Sequence, residues 1–267
     1  MPSVAIVALF RGTVLGSDLG ATGLCAKRPS RRPVVKGGVM MRGRGAIAYL
    51  TRLVIERAIG LALFLVGSGG VLGPRGTLWF AVYFAAIGSV VWVYHAAPDT
   101  MEARLSIAET KDVTPTWDKV LLAVFWLLGY FVVYWVAGRT CDLSLPIDAL
   151  AIIGAVIYLL SCVLTAWALA ENKYAEAVSR VQEERGQRVC TTGPYAFVRH
   201  PMYSAIIMWC VSVVMVLFSV QVALVSGAVA VVIVVRTALE DAMLARELPG
   251  YAQYRSDVRW RLVPFLW

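Results

Sequence analysis

Long apolar runs separated by short polar stretches dominate the pattern of this 267-residue chain. A helix needs about 20 apolar residues to cross the roughly 30 Å hydrocarbon core of a bilayer, and several of the runs are long enough. The pattern therefore predicts an all-α, polytopic integral membrane protein. Its first four predicted spans are 58–72 (in a longer reading, from 46), 77–97, 120–137 and 145–170.

The last long apolar run, residues 202–235, is too long to be one span. Gln221 is the only strongly polar residue among these 34 residues. At 1.5 Å per residue, a single helix of this length would measure about 50 Å, which exceeds the hydrocarbon core. We therefore predict a hairpin of two spans that turns near 219–221, which brings the total to six.

Composition excludes a soluble globular domain. Hydrophobic residues make up 59% of the chain and charged residues 16%, with a mean hydropathy of +0.71. Soluble domains are usually about half apolar or less. We expect one membrane domain over 46–267, with a cofactor motif at 182–203 and a C-terminal motif at 236–264.

The distribution of positive charge predicts the orientation of the spans. The net charge is +8, and 23 of the 25 Lys and Arg residues fall on one side of the six-span topology, leaving only Arg75 and Arg139 on the other. Positive residues accumulate in cytoplasmic loops. Both termini and the 182–203 motif are therefore predicted to face the cytoplasm, in the plasma or inner membrane of a bacterium or the endoplasmic reticulum of a eukaryote. This charge reflects topology rather than nucleic-acid binding.

Residues 1–45 differ from the rest of the chain because they are basic and lack a long apolar run. They hold eight basic residues against one acid, Asp18. A disordered cytosolic arm is the first interpretation. A targeting presequence and a true start at Met40 or Met41 remain open alternatives.

The polar segment 182–203 lies directly before the final apolar run and carries most of the candidate chemistry. Gly193-Pro194 is typical of a turn, and Pro201 suits the first position of a helix. Arg199 and His200 would then lie beside free backbone N–H groups at a helix N-terminus. Such a place favours a carboxylate or a phosphate.

This segment resembles the isoprenylcysteine carboxyl methyltransferase family and its bacterial relatives, which are integral-membrane enzymes that use S-adenosylmethionine. The resemblance runs from about Met101 to the C-terminus. The residues that carry it are Gln182, Arg188-Val189, Thr192-Gly193-Pro194-Tyr195, Arg199-His200-Pro201-Met202-Tyr203, Glu240-Asp241, Gly250-Tyr251-Ala252-Gln253-Tyr254 and Val258-Arg259-Trp260-Arg261-Leu262-Val263-Pro264.

The resemblance implies roles for individual side chains. Arg236 would contact the substrate and, with Arg199, form the catalytic pair, whereas the spacing alone favours a membrane-edge ion pair of Arg236 with Glu240. Asp241 replaces a second glutamate of the family pattern, and Gln187 replaces a frequent histidine. The implied S-adenosylmethionine-binding residues are Gln182, Gln187, Arg188, Val189, Cys190, Tyr195, His200, Pro201, Met202, Tyr203 and Glu240.

The remaining chemistry fits methyl transfer to a carboxylate on a lipophilic or lipid-linked acceptor such as a C-terminal isoprenylcysteine. A carboxylate with a pKa near 3.5 is already ionised at pH 7, whereas an amine acceptor would need a base. The five cysteines show no metal-like spacing, so no metal is expected. N-methylation of a phospholipid headgroup or another lipophilic molecule is the alternative reaction, and a small transporter or scaffold is the non-enzymatic alternative.

The C-terminal region is predicted to hold an interfacial helix. Residues 243–248, with Tyr251, Tyr254 and Trp260, alternate apolar and basic side chains. Such a segment lies on a membrane surface. A lid over cofactor and lipid is the hypothesis, and a simple amphipathic tail is the alternative.

Overall fold

The computed structural model describes residues 39–105 and 114–267, and every regular element within these ranges is a helix. The prediction of an all-α membrane protein is thus confirmed. The α-helices are α1 (Val39–Ser68), α2 (Gly73–Ala85), α3 (Ile87–Ala96), α4 (Pro98–Leu105), α5 (Thr116–Trp126), α6 (Val133–Thr140), α7 (Ala149–Glu171), α8 (Pro201–Leu217), α9 (Val220–Glu247) and α10 (Tyr251–Asp257).

Four apolar helical stretches in the described residues are long enough to cross a bilayer. They are Gly73–Ala96, Thr116–Thr140, Ala149–Glu171 and Val220–Glu247. The first joins α2 to α3, and the second joins α5 to α6 through a π-helical segment, Leu127–Val132. The α8 helix is shorter and equally apolar. The total of six spans stays a prediction.

The N-terminal part of the chain departs from the predicted boundaries. The helix α1 begins at Val39, so the last residues assigned to the basic arm are helical, and the helix that contains the first predicted span begins well before residue 58. The helix continues through the charged residues Arg52, Glu56 and Arg57. The ion pair between Arg52 and Glu56, one turn apart, stabilises it there. The rest of the arm, residues 1–38, lies outside the described residues.

The predicted hairpin is present, with its turn one residue earlier than expected. The α8 helix ends at Leu217, Phe218 takes a left-handed conformation with φ of 40°, and Ser219 precedes α9. The Ser219 hydroxyl accepts a hydrogen bond from the Val222 N–H, which caps α9. The turn therefore forms where the first polar residue after α8 can satisfy a helix end.

Close backbone contact holds the bundle together. The most extensive pairing is α7 with α8, and the next is α1 with α6. A Cβ atom on Gly138 would lie 2.1 Å from the carbonyl oxygen of Phe64, and one on Gly154 would lie 2.8 Å from Met215. Glycines at these crossings let helices approach closely, as is common in membrane bundles.

One end of the bundle is polar and is formed by 172–200 together with the C-terminal segment. The Arg199 N–H donates to the Trp260 carbonyl at 2.9 Å, and the His200 N–H donates to the Arg261 carbonyl at 3.0 Å. Residues 243–247, which the sequence assigned to the interfacial helix, continue α9, and Gly250, with φ of 85°, starts the short α10; the interfacial position of this region stays a prediction. The chain thereby folds back over the start of α8.

Candidate active site

A cleft at the polar end of the bundle gathers the predicted cofactor residues. It holds about 790 Å³ of space between atoms, including the part open to solvent. Its walls come from 172–203, the last turns of α9, and α10. The lining includes Gln182, Gln187, Arg188, Val189, Cys190, Tyr195, His200, Pro201, Met202, Tyr203 and Glu240, which are all eleven residues of the prediction.

Glu240 is the carboxylate that faces this cleft. Its Oε2 accepts hydrogen bonds from the Tyr203 hydroxyl and from the Ser179 hydroxyl, the latter at 2.6 Å. Its Oε1 lies 4.0 Å from Nδ1 of His200, and one fifth of the side chain is exposed. One carboxylate oxygen is therefore held by the protein while the other is directed toward the cleft wall at His200.

Asp241, the next residue, is a buried anchor whose importance the sequence did not reveal. It has no exposed surface, and its carboxylate accepts two hydrogen bonds from Arg199 at 2.7 and 3.1 Å. Arg261 donates at 3.1 Å and the Tyr251 hydroxyl at 2.9 Å. Because buried charges require partners, this carboxylate fixes α8, α9 and the C-terminal segment relative to one another.

Arg199 lines the cleft, but its hydrogen-bonding capacity is directed into the protein. Besides Asp241, its Nη1 donates to the carbonyls of Val258 and Arg259 at 2.7 and 2.9 Å. These contacts use four of the five N–H donors of a guanidinium group. The geometry favours a positioning role over the predicted direct role in catalysis.

The backbone at the start of α8 also differs from the expectation of free N–H groups. Pro201 does occupy the first turn, as predicted. However, the N–H groups of Arg199 and His200 bond the C-terminal segment, and those of Tyr203 and Ser204 bond the His200 carbonyl. These backbone donors are therefore not available to an anion.

Arg236 lies behind the cleft rather than in its lining. Its Nε donates to Asp118 at 2.7 Å and its Nη2 to the Ala177 carbonyl at 2.7 Å, so the ion pair expected with Glu240 is replaced by one with Asp118. Asp118 is fully buried and also accepts a hydrogen bond from the Ser179 N–H at 2.9 Å, while the Ser179 hydroxyl donates to Glu240. Ser179 thus lies between this ion pair and Glu240, a link that no motif indicated.

The aromatic residues of the cleft are held firmly. The Tyr203 ring stacks on His200 with centroids 5.7 Å apart, and the Arg236 guanidinium lies 5.2 Å from the same ring. Tyr254 donates its hydroxyl hydrogen to the Tyr195 carbonyl at 2.7 Å. Burial raises the pKa of Tyr195 and of Tyr254, so both remain neutral phenols at pH 7.

Cys190 is a neutral part of the wall. Its sulfur lies 3.8 Å from the Glu171 carbonyl and 3.9 Å from the Thr192 hydroxyl. Burial raises the pKa of its thiol above the usual 9.0, which disfavours the reactive thiolate. In the described ranges, no group of three or more His, Cys, Asp or Glu residues is placed to hold a metal ion.

The fold and the cleft define the class of protein: a helical integral membrane protein with a polar small-molecule site at one end of its bundle. Residues 151–246 match the model of the Isoprenylcysteine carboxyl methyltransferase (ICMT) family. This segment, which runs from α7 into the end of α9, is thus an ICMT-family domain, and the resemblance seen in the sequence is confirmed. No curated protein matched the chain.

The family match identifies the chain as an enzyme, a methyltransferase of the isoprenylcysteine type. The transporter or scaffold alternative is thereby set aside. The match contains the predicted cofactor residues together with Arg199, Arg236 and Asp241. Asp118 and α10 lie outside it and complete the site from flanking parts of the chain.

Proposed function

We propose that the protein transfers a methyl group from S-adenosylmethionine to a carboxylate on a lipophilic acceptor, such as a C-terminal isoprenylcysteine. One observation carries the proposal: eleven side chains that the family pattern assigns to the cofactor line a single cleft. They come from 182–203 and from α9, which are distant in sequence. Chance convergence of such a set on one cleft is improbable on geometric grounds.

The chemistry of the lining fits S-adenosylmethionine. Glu240 offers a carboxylate oxygen for an ammonium or ribose hydroxyl group, and exposed Arg188 offers a cation for the methionine carboxylate. Val189, Leu244 and Leu248 form an apolar wall suited to the adenine plane. When bound, the cofactor supplies a methyl group on a positively charged sulfur.

The protein's part in the reaction is alignment rather than proton transfer. The acceptor carboxylate is ionised at pH 7, so it would take the methyl group without a general base, while the methyl–sulfur bond breaks and the rest of the cofactor leaves as a neutral thioether. His200 is poorly suited to act as a base because its ring nitrogens face Asp241 at 3.4 Å and Glu240 at 4.0 Å. This arrangement favours a carboxylate over an amine acceptor.

Positions along α8 suggest the route of the acceptor. Pro201, Met202 and Tyr203 line the cleft, and the apolar remainder of α8 follows them directly. A lipid-linked acceptor can thus place its polar end in the cleft while its chain stays among the spans. The charge distribution supports a cytoplasmic position for the cleft.

A transfer assay with matched acceptors tests the proposal. Purified protein in detergent is given methyl-labelled S-adenosylmethionine with S-farnesylcysteine acid, with the corresponding amide, or with phosphatidylethanolamine. We expect label only on the acid, as an ester that alkali releases as methanol. Alkali-stable label on the amine lipid would instead support the N-methyltransferase alternative, and no transfer to any acceptor by protein that binds the cofactor would contradict the proposed acceptor class.

A further inference from the structure

A second cavity lies deeper in the helix bundle than the cleft. It holds about 660 Å³ of space between atoms, including the part that is open to its surroundings, and takes Ala205, Ile206 and Trp209 from α8, one to two turns beyond Tyr203. Aromatic side chains dominate its wall: Tyr83, Phe125, Tyr130, Tyr134, Tyr158 and Trp209. Neither the motifs nor the proposed reaction accounts for this cavity.

Arg57 is the only charged residue among the described residues that line this cavity. Arg57 is buried, with 7% of its surface exposed. Its Nε donates to the Tyr83 carbonyl at 2.8 Å, and its guanidinium lies 4.8 Å from the centre of the Tyr83 ring. The neighbouring Glu56 pairs with Arg52 instead. In the described part of the chain, no carboxylate lies within ion-pair distance of Arg57.

The other polar side chains of the wall do not neutralise this charge. The hydroxyls of Ser89, Ser161 and Thr165 donate to carbonyls of their own helices. An unpaired cation among membrane spans is costly and is usually functional. Among the described residues, only the Nε of the guanidinium has a hydrogen-bond partner, so there the Nη groups remain available to an anion.

The π-helical segment contributes to the same cavity. Gly129 and Tyr130, both within Leu127–Val132, line it. Such π segments inside α-helices occur frequently at functional sites. A Cβ on Gly129 would lie 3.5 Å from Trp209, an ordinary contact, so the glycine is not needed for helix packing there and leaves the space open.

We propose that this cavity binds a single-chain acidic amphiphile, with its carboxylate or phosphate paired to Arg57 and its chain against the aromatic wall. The guanidinium fork matches either anion bidentately. Most of the lining residues are apolar or aromatic, which suits a hydrocarbon chain. The site is separate from the cofactor cleft and does not depend on the proposed methyl transfer.

Equilibrium binding to the full-length protein in neutral detergent tests this site. The probes are labelled palmitate, labelled lysophosphatidate and, as the uncharged reference, hexadecanol. We expect saturable binding of at least one acid and at least about tenfold weaker binding of hexadecanol, since charge-assisted hydrogen bonds discriminate on this scale. Preference for palmitate or for lysophosphatidate identifies the headgroup.

Variants of Arg57 test whether its charge binds the ligand or only stabilises the fold. Arg57→Met should weaken binding of the preferred acid about tenfold or more while the melting temperature is retained, because an unpaired intramembrane charge is removed. Arg57→Lys should retain only part of the binding, because it keeps the charge but loses the bidentate fork. Arg139→Met, at an exposed arginine outside the cavity, should bind as the wild type does. Equal affinity of Arg57→Met and the wild type would overturn the proposal.

A second variant keeps the test decisive if Arg57→Met does not fold. Gly129→Leu fills the cavity without altering any charge, and it should abolish binding of the acid while the protein stays folded by its thermal transition. Undiminished acid binding by Gly129→Leu, or equal binding of hexadecanol and the acids by the wild type, would contradict the assignment of the ligand to this cavity.

Discussion

The cleft and the deeper cavity use buried arginines in opposite ways. In the cleft, Arg199 and Arg236 are each paired with a buried carboxylate, Asp241 and Asp118 respectively. In the cavity, Arg57 contacts a carbonyl and a ring, and the described part of the chain offers it no carboxylate partner. The paired arginines hold the walls of a site, whereas the unpaired one is free to meet an anion. Burial alone therefore does not tell what an arginine does.

The largest effect should come from removing the anchor of the cleft. Asp241→Asn leaves Arg199 and Arg261 without their charged partner, and breaking a buried ion pair typically costs about 3–5 kcal/mol. We expect a melting temperature many degrees lower and loss of cofactor binding. The control is Asp257→Asn, at an exposed carboxylate on α10. An unchanged melting temperature for Asp241→Asn would show that the anchor is not needed.

The second pair should behave as a coupled unit. Arg236→Met leaves Asp118 buried and unpaired, and Asp118→Leu does the same to Arg236, so each single variant should lose about 3–5 kcal/mol of stability. The double variant should lose much less than the sum of the two. Chemical denaturation measures all three, and simple additivity would mean that the two side chains do not depend on each other.

A smaller effect should distinguish a lid from a passive tail. Tyr254→Phe removes the hydrogen bond from α10 to the Tyr195 carbonyl, a net contribution of about 0.5–1.5 kcal/mol. We expect S-adenosylmethionine affinity to fall about two- to tenfold with little change in acceptor specificity. Cofactor affinity equal to that of the wild type would favour the tail.

The smallest effect concerns the Cys190 thiol. Since burial raises its pKa above 9.0, less of it is thiolate at any pH below that value than for an ordinary cysteine. Its alkylation should be slow at pH 8 and accelerate as the pH rises past 9. Site-resolved mass spectrometry measures the rate, with Cys190→Ser locating the modified peptide. A fast reaction already at pH 7 would contradict the buried, neutral thiol.

The sequence predicted more of the helical architecture than of the ion pairs that build the site. Apolar runs located the helices, and the polar residue after α8 located the hairpin turn, because both depend on local composition. The residues that the motif assigned to the cofactor line one cleft, and their role in binding it stays a prediction. The motif did not predict that Arg236 pairs with Asp118 or that Asp241 gathers Arg199 and Arg261. Those pairings depend on helix packing between residues far apart in sequence, which no local pattern records.

The boundary of α9 illustrates the same limit. Alternating apolar and basic residues over 243–248 suggested an interfacial helix, yet the chain continues α9 to Glu247 and turns at Gly250. Met243 and Tyr251 are both buried, which the alternation of apolar and basic residues did not predict. Tertiary contacts, rather than the amphipathic pattern, determine where α9 ends in this part of the chain.

Equilibrium binding of labelled S-adenosylmethionine to purified protein in detergent tests the central claim most directly. The account predicts saturable binding at one site per chain, strong weakening in Glu240→Gln, and wild-type binding in Glu247→Gln, an exposed glutamate on the same helix outside the cleft. No saturable binding by protein that retains its cooperative thermal transition, or equal binding by Glu240→Gln and the wild type, would contradict the assignment of the cofactor to this cleft.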